Sequence, residues 1–224
     1  MVAVGLDGCR SGWVAAWIGA NGRRGFEIIS GVAGIGGGEL AMIDIPIGLP
    51  ESGYRAVDHA ARTILGEARS RVFLGARRPL LAMLDDYPRA NAWAKADGKG
   101  LSRQLFGILP KIAQVDGPIT PARQDSLREC HPELVFQRLN GGAPLPPKKT
   151  PEGFRMRRDL VAHCGFADIE RWLDRLRGTG AQVDDLLDAC ACALAASETL
   201  RTGGRKVACA EEADARGLRM EMWY

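Results

Sequence analysis

Residues 183 to 196, Val-Asp-Asp-Leu-Leu-Asp-Ala-Cys-Ala-Cys-Ala-Leu-Ala-Ala, constrain the fold of this 224-residue chain more than any other stretch. From Leu186 to Ala196 every residue except Asp188 is apolar or small, which predicts a helix buried almost all round. Such a helix must be packed into the middle of a domain. Asp185 and Asp188 lie three apart, so their carboxylates stack on one helical face. An ionised carboxylate is costly to bury unless a cation or hydrogen bonds compensate it. The pair therefore asks for a metal ion or a strong basic partner. Helix capping accounts for one acid in the run, and Asp184 is the residue expected in that role. It does not account for Asp188, a full turn further in.

The amino-terminal part reads as strands. Ala3 to Leu6 is an apolar run reaching Asp7, then a glycine turn, then Trp13 to Ile18, which predicts a β-hairpin. Asp7 falls at the carboxyl end of the first strand, where open α/β sheets present ligand-binding groups. Asn21-Gly22 is the next turn and Gly25 to Ile29 the third strand. The glycine-rich stretch 34–38 lacks the Lys-Ser/Thr ending of a phosphate loop and reads as a flexible connector. Leu40 to Pro50 is almost wholly apolar, as in a strand buried on both faces, with Asp44 towards its end and Pro46 preventing further pairing.

Residues 51 to 125 read as a mainly helical insertion. Arg55, Asp58, His59 and Arg62 have helical spacing, which suggests a solvated face of ion pairs. Arg69, Arg71, Arg77 and Arg78 form a basic cluster that a phosphate backbone could use. Tyr87 and Trp93 are read as packing residues rather than stacking platforms. Around Pro110 the helical pattern restarts. Further on, Leu127 to Cys130 predicts a short strand running into His131-Pro132-Glu133, with Pro132 and Glu133 in the first turn of a new helix. His131 is read as structural; Glu133 is a candidate ligand or acid. Pro144 to Glu152 is a basic, proline-rich loop with Lys148 and Lys149, and cations continue through Arg158. Helices are expected at 160–164 and 168–177, and a last edge strand at 206–210.

The net charge of +3 is too small to mark a nucleic-acid binder by itself. No stretch of about 18 apolar residues occurs, so no membrane span is expected. The residues from Met1 to Asp7 lack the pattern of a signal peptide. Six cysteines without C-x-x-C spacing fit reduced thiols and a cytoplasmic protein. Cys190 and Cys192 are two apart on a helix, which argues against zinc between them.

Collected, the acids are Asp7, Asp44, Glu133, Asp185 and Asp188, on strand ends, a strand-to-helix turn and the buried helix. The order of hairpin, third strand, inner strand, crossovers and acidic helix is the layout of a ribonuclease H-like fold, an α/β architecture with a mixed central sheet flanked by helices. Phosphodiester cleavage by two metals needs carboxylates holding Mg²⁺ or Mn²⁺ about 3.5–4 Å apart. Asp7, Asp44, Asp185 and Asp188 are the expected metal ligands, with Asp7 bridging. Arg71, Lys111, Lys148 and Lys149 are the expected phosphate-binding residues.

Five motifs also resemble a known family. They are Gly5-Leu6-Asp7-Gly8-Cys9-Arg10-x-Gly12-Trp13, Ile43 to Pro50, Glu129 to Glu133, Lys148-Lys149-Thr150-x-Glu152-Gly153, and Asp185-x-x-Asp188-Ala189-x-Ala191. Together they are similar to domain-of-unknown-function family 429, over most of the chain. The resemblance implies a single ribonuclease H-like domain and a predicted nuclease activity on nucleic acid or another phosphodiester. The last motif is also similar to the acidic ending of Holliday-junction resolvases. Carried over, Asp7, Asp44, Asp185 and Asp188 match metal-binding acids of ribonuclease H-like nucleases, while Glu133 matches a family motif without an assigned role.

Two rival readings use the same fold. An actin-like phosphotransferase would also have a strand-one Asp-Gly turn, but such proteins pair two copies of the fold and only one is legible here. A non-catalytic binding protein would not need so many buried acids. Saturable ATP binding would mark the first, and the absence of both cleavage and ATP binding the second.

Overall fold

Strand pairing places two acids side by side. The computed structural model describes residues 2–35 and 37–224. Its five strands form one mixed sheet in the order β3-β2-β1-β4-β5. Strand β1 (Val2–Cys9) pairs antiparallel with β2 (Gly12–Ile18), and β2 antiparallel with β3 (Arg24–Ile29). On its other side β1 runs parallel to β4 (Glu39–Ile43), which runs parallel to β5 (Leu127–Glu129). Leu6 is in register with Ile43. The next residues, Asp7 and Asp44, therefore emerge together at the carboxyl edge, where the Asp44 N–H donates to Leu6 O at 3.0 Å.

Seven α-helices surround the sheet among the described residues: α1 (Ala56–Leu65), α2 (Tyr87–Ala96), α3 (Arg103–Asp116), α4 (Pro132–Leu139), α5 (Pro151–His163), α6 (Ile169–Arg175) and α7 (Val183–Thr202). Side chains from β1 alternate between two cores. Ala3 packs with the apolar residues of α4 to α7, whereas Val4 and Leu6 pack with those of α2 and α3. Covering both faces explains why β1 and β4 read as continuous apolar runs. A third cluster joins α1 to Leu134 of α4 and to Val207 and Met222.

Helix α7 lies directly on β1. A Cβ at Gly5 would stand 2.0 Å from Ala189 O and 2.2 Å from Ala193 N, so only glycine permits this approach. Two residues beyond Gly5 is Asp7, and one residue before Ala189 is Asp188. The close contact thus sets the distance between the two acids.

Several local expectations change. Gln182, not Asp184, is the N-cap of α7, with Asp185 closing a capping box. Helix α3 continues through Pro110 instead of restarting, because Leu105, Leu109, Ile112 and Val115 all bury on one face and packing outweighs the lost N–H. The helix expected at 160–164 already begins at Pro151, capped by Thr150. At 206–210 there is no strand, only an isolated bridge of Lys206 with Trp223. Of the 34–38 connector, Gly36 lies outside the described residues. All six cysteines are free thiols, with Cys9, Cys130, Cys190 and Cys192 buried. No helix among the described residues is long and apolar enough to cross a membrane.

Candidate functional site

Asp7, Asp44 and Asp188 each bring one carboxylate oxygen into a group whose members lie within 4.8 Å of one another. The first comes from β1, the second from the residue after β4, and the third from the sheet-facing side of α7. Asp7 Oδ1 accepts the Gly8 N–H at 2.7 Å. Asp188 Oδ2 accepts from Lys148 Nζ at 2.7 Å, while its Oδ1 is buried without a hydrogen-bond partner among the described residues.

Burial pushes all three carboxyls up, and they repel one another. Asp44 is raised to about 7 by burial, with Lys148 opposing and Glu133 adding repulsion. Asp188 reaches about 7 for the same first cause, Lys148 again opposing and Asp44 adding to it. Asp7 is raised well above its ordinary range by burial and by Asp44, Asp188 and Asp185. Asp185 stands beside the trio, not within it. Its Oδ2 accepts the Gln182 N–H at 2.7 Å, and burial raises its carboxyl despite that bond.

The trio opens into a cavity of about 530 Å³. Asp7, Asp44, Glu133, Asp185, Asp188, Arg71, Lys111, Lys148 and Lys149 all line it. Their surroundings differ. Glu133 is held by Arg157, at 2.7 to 3.1 Å, and by Arg71 at 2.6 Å. Burial alone would raise the Glu133 carboxyl, but the two guanidiniums outweigh it and hold it below its ordinary range. Arg71 also donates to Leu145 O at 2.7 Å. Lys111 donates to Gly12 O at 2.6 Å and sits 4.8 Å from the centre of the Trp13 ring. Lys149 reaches Asp184 at 2.8 Å. His131 is the N-cap of α4, its Nδ1 accepting the Glu133 N–H, and burial lowers its pKa.

Three arginines depart from the sequence reading. Arg55 and Asp58 are buried instead of solvated. Arg55 contacts Asp58 at 2.5 Å and Glu129 at 2.6 and 2.8 Å, and also donates to Ile47 O. Glu129 in turn accepts the Ile47 N–H at 2.7 Å, so this cluster fixes the segment just beyond Asp44. Within the supposed phosphate-binding cluster, Arg77 pairs with Asp97 beneath Trp93, and Arg78 with Asp116 and Asp214. Both are spoken for by protein carboxylates. Tyr87 and Trp93 do act as packing residues, Tyr87 edge-on to Phe106. Arg157, 1% exposed, was visible in the sequence only as one cation of many.

Three clustered carboxylates, one with a free oxygen, fit a hard divalent cation such as Mg²⁺ or Mn²⁺, whose ligands are oxygens. Against known families, residues 5–214 match the one described as Protein of unknown function (DUF429). The chain belongs to this family. No curated protein and no solved structure matches it. The motifs of the family resemblance supply all three acids of the trio, Lys148 and the Gly5 on which α7 rests.

Proposed function

We propose that this chain is a ribonuclease H-like, metal-dependent hydrolase of phosphodiester bonds, with nucleic acid or a smaller phosphodiester as substrate. The observation that carries the reading is the trio Asp7, Asp44 and Asp188, three under-compensated carboxylates from three elements at one sheet edge. The mixed sheet, with β1 between an antiparallel hairpin and two parallel strands, supports the fold assignment. In that reading residues 51–125 are a helical insertion between β4 and β5.

Asp7, Asp44 and Asp188 would hold the cations, with Asp185 nearby to complete the shell. Bound Mg²⁺ or Mn²⁺ supplies Lewis-acid activation of water and of the phosphoryl group. The chain contributes the positioning. Gly5 sets Asp188 against Asp7, and Glu129 with Arg55 steadies the turn after Asp44. Lys111, Lys148 and Lys149 line the cavity and would offer their ammonium groups to phosphate oxygens on release from Gly12 O, Asp188 and Asp184. Arg71 lines the same wall while bracing Glu133 and the loop at Leu145.

The test is hydrolysis of bis(p-nitrophenyl) phosphate and of short labelled single and double strands, with Mn²⁺ or Mg²⁺ and with chelator. Cleavage should require the metal and fall by roughly a hundredfold or more in Asp7→Asn. Cleavage that persists in chelator, or in Asp7→Asn, would overturn the reading.

A further inference from the structure

One cation is already inside the acid group. Lys148 Nζ lies 2.7 Å from Asp188 Oδ2 and 3.5 Å from Asp184 Oδ2. The loop that carries it is fastened at three successive carbonyls. Arg71 donates to Leu145 O at 2.7 Å, Arg157 to Pro146 O at 2.9 Å, and the Thr150 N–H to Pro147 O at 2.9 Å. Helix α5 presses on the same point, since a Cβ at Gly153 would lie 2.2 Å from Pro147 O. The backbone is therefore held, and the freedom lies in the four-carbon stem of the lysine. That side chain is 37% exposed, which leaves it room to swing towards the cavity.

We propose that Lys148 is a tethered competitor for the cation site: its ammonium compensates Asp188 while no divalent ion is bound and withdraws when one enters. The inference rests on the cation-binding reading of the trio. Two positive charges cannot share Asp188 Oδ2 without strong repulsion in so buried a place. A divalent ion brings more charge than the ammonium it displaces, whereas a monovalent ion brings no more. Lys148 thereby selects for divalent cations and offsets only part of the trio's charge without them. Lys149 is the natural control, because it is 77% exposed and, among the described residues, pairs with Asp184 and not with the trio.

The experiment is Mn²⁺ titration by calorimetry on the full chain, comparing the native protein with Lys148→Met, Lys148→Arg and Lys149→Met. Lys148→Met should bind Mn²⁺ more tightly by on the order of tenfold, from loss of the competing charge. Lys148→Arg, which keeps the charge, should stay close to the native affinity, and Lys149→Met within about twofold of it. If Lys148→Met binds no more tightly than the native protein, the competitor role is overturned while the cation site stands. If neither native protein nor Lys148→Met binds Mn²⁺, the cation reading itself fails and takes the competitor with it.

Discussion

Two groups of buried charge lie against the same cavity and are built on opposite principles. In the first, Arg55 is shared between Asp58 and Glu129, and Arg157 and Arg71 between the oxygens of Glu133. Nearly every charged atom there has a partner at hydrogen-bond distance. In the second, Asp7, Asp44 and Asp188 face one another with a single lysine and an orphan oxygen. Both are withdrawn from solvent, Asp188 buried and Asp7 and Asp44 half-buried in the second group, but only the first is compensated. Satisfied charges fix the loops around the cavity, while the unsatisfied ones carry the proposed cation site. Burial of a charge alone is therefore a poor guide to function, and the local balance of charge a better one.

The contrast predicts opposite signs on mutation. The largest effect should come from Arg55→Met, which strands Asp58 and Glu129 without their cation. A loss of about 3–5 kcal/mol in urea-induced unfolding is expected, as for other broken buried pairs. A loss below about 1 kcal/mol would erase the distinction between the two groups.

The next effect concerns pH. Asp44 and Asp188 are pushed up from an ordinary 3.8 to about 7, and Asp7 is raised as well. Between these values the folded protein holds protons that the unfolded chain has released. Metal-free stability should therefore fall as pH rises from about 4 to 7, where most proteins are flat or gaining. The lowered carboxyls, Glu133 among them, act in the opposite sense at the acidic end of this window or below it, and the lowered His131 offsets part of the fall up to its ordinary value, one group against three. A drop of roughly 3–6 °C in Tm between about pH 5 and pH 8 is expected without metal. Saturating Mn²⁺ should remove it; a Tm that rises over the same range without metal would contradict the balance described.

Much of this was legible from the chain because acids stand out in apolar runs. Asp7 and Asp44 interrupt strands that are otherwise continuous, and Asp188 interrupts a helix buried all round. What the one-dimensional pattern hides is partnership across distance. Arg55 and Asp58 have the spacing of a solvated helix face, but Arg55 precedes α1 and turns inward to Glu129, 74 residues away. The same is true of Arg157, whose partner Glu133 lies on another helix. Lys148 was legible as a loop cation, whereas its seat on Asp188 depends on the packing of α5 against the loop. At 206–210, apolar character suggested a strand, yet Lys206 forms only an isolated bridge to Trp223, itself outside the strands.

In the proposed reading the trio is strained by its own charge until a cation arrives. Thermal unfolding of the native protein and of Asp7→Asn, each with and without Mn²⁺ at about pH 8, tests it most directly. Removing one of the three charges should make the metal-free variant more stable than the native protein, because burial and the neighbouring Asp44 and Asp188 penalise the Asp7 carboxylate. Mn²⁺ should then raise the Tm of the native protein and leave that of Asp7→Asn nearly unchanged. A variant less stable than the native protein without metal, with both shifted equally by Mn²⁺, would contradict the claim.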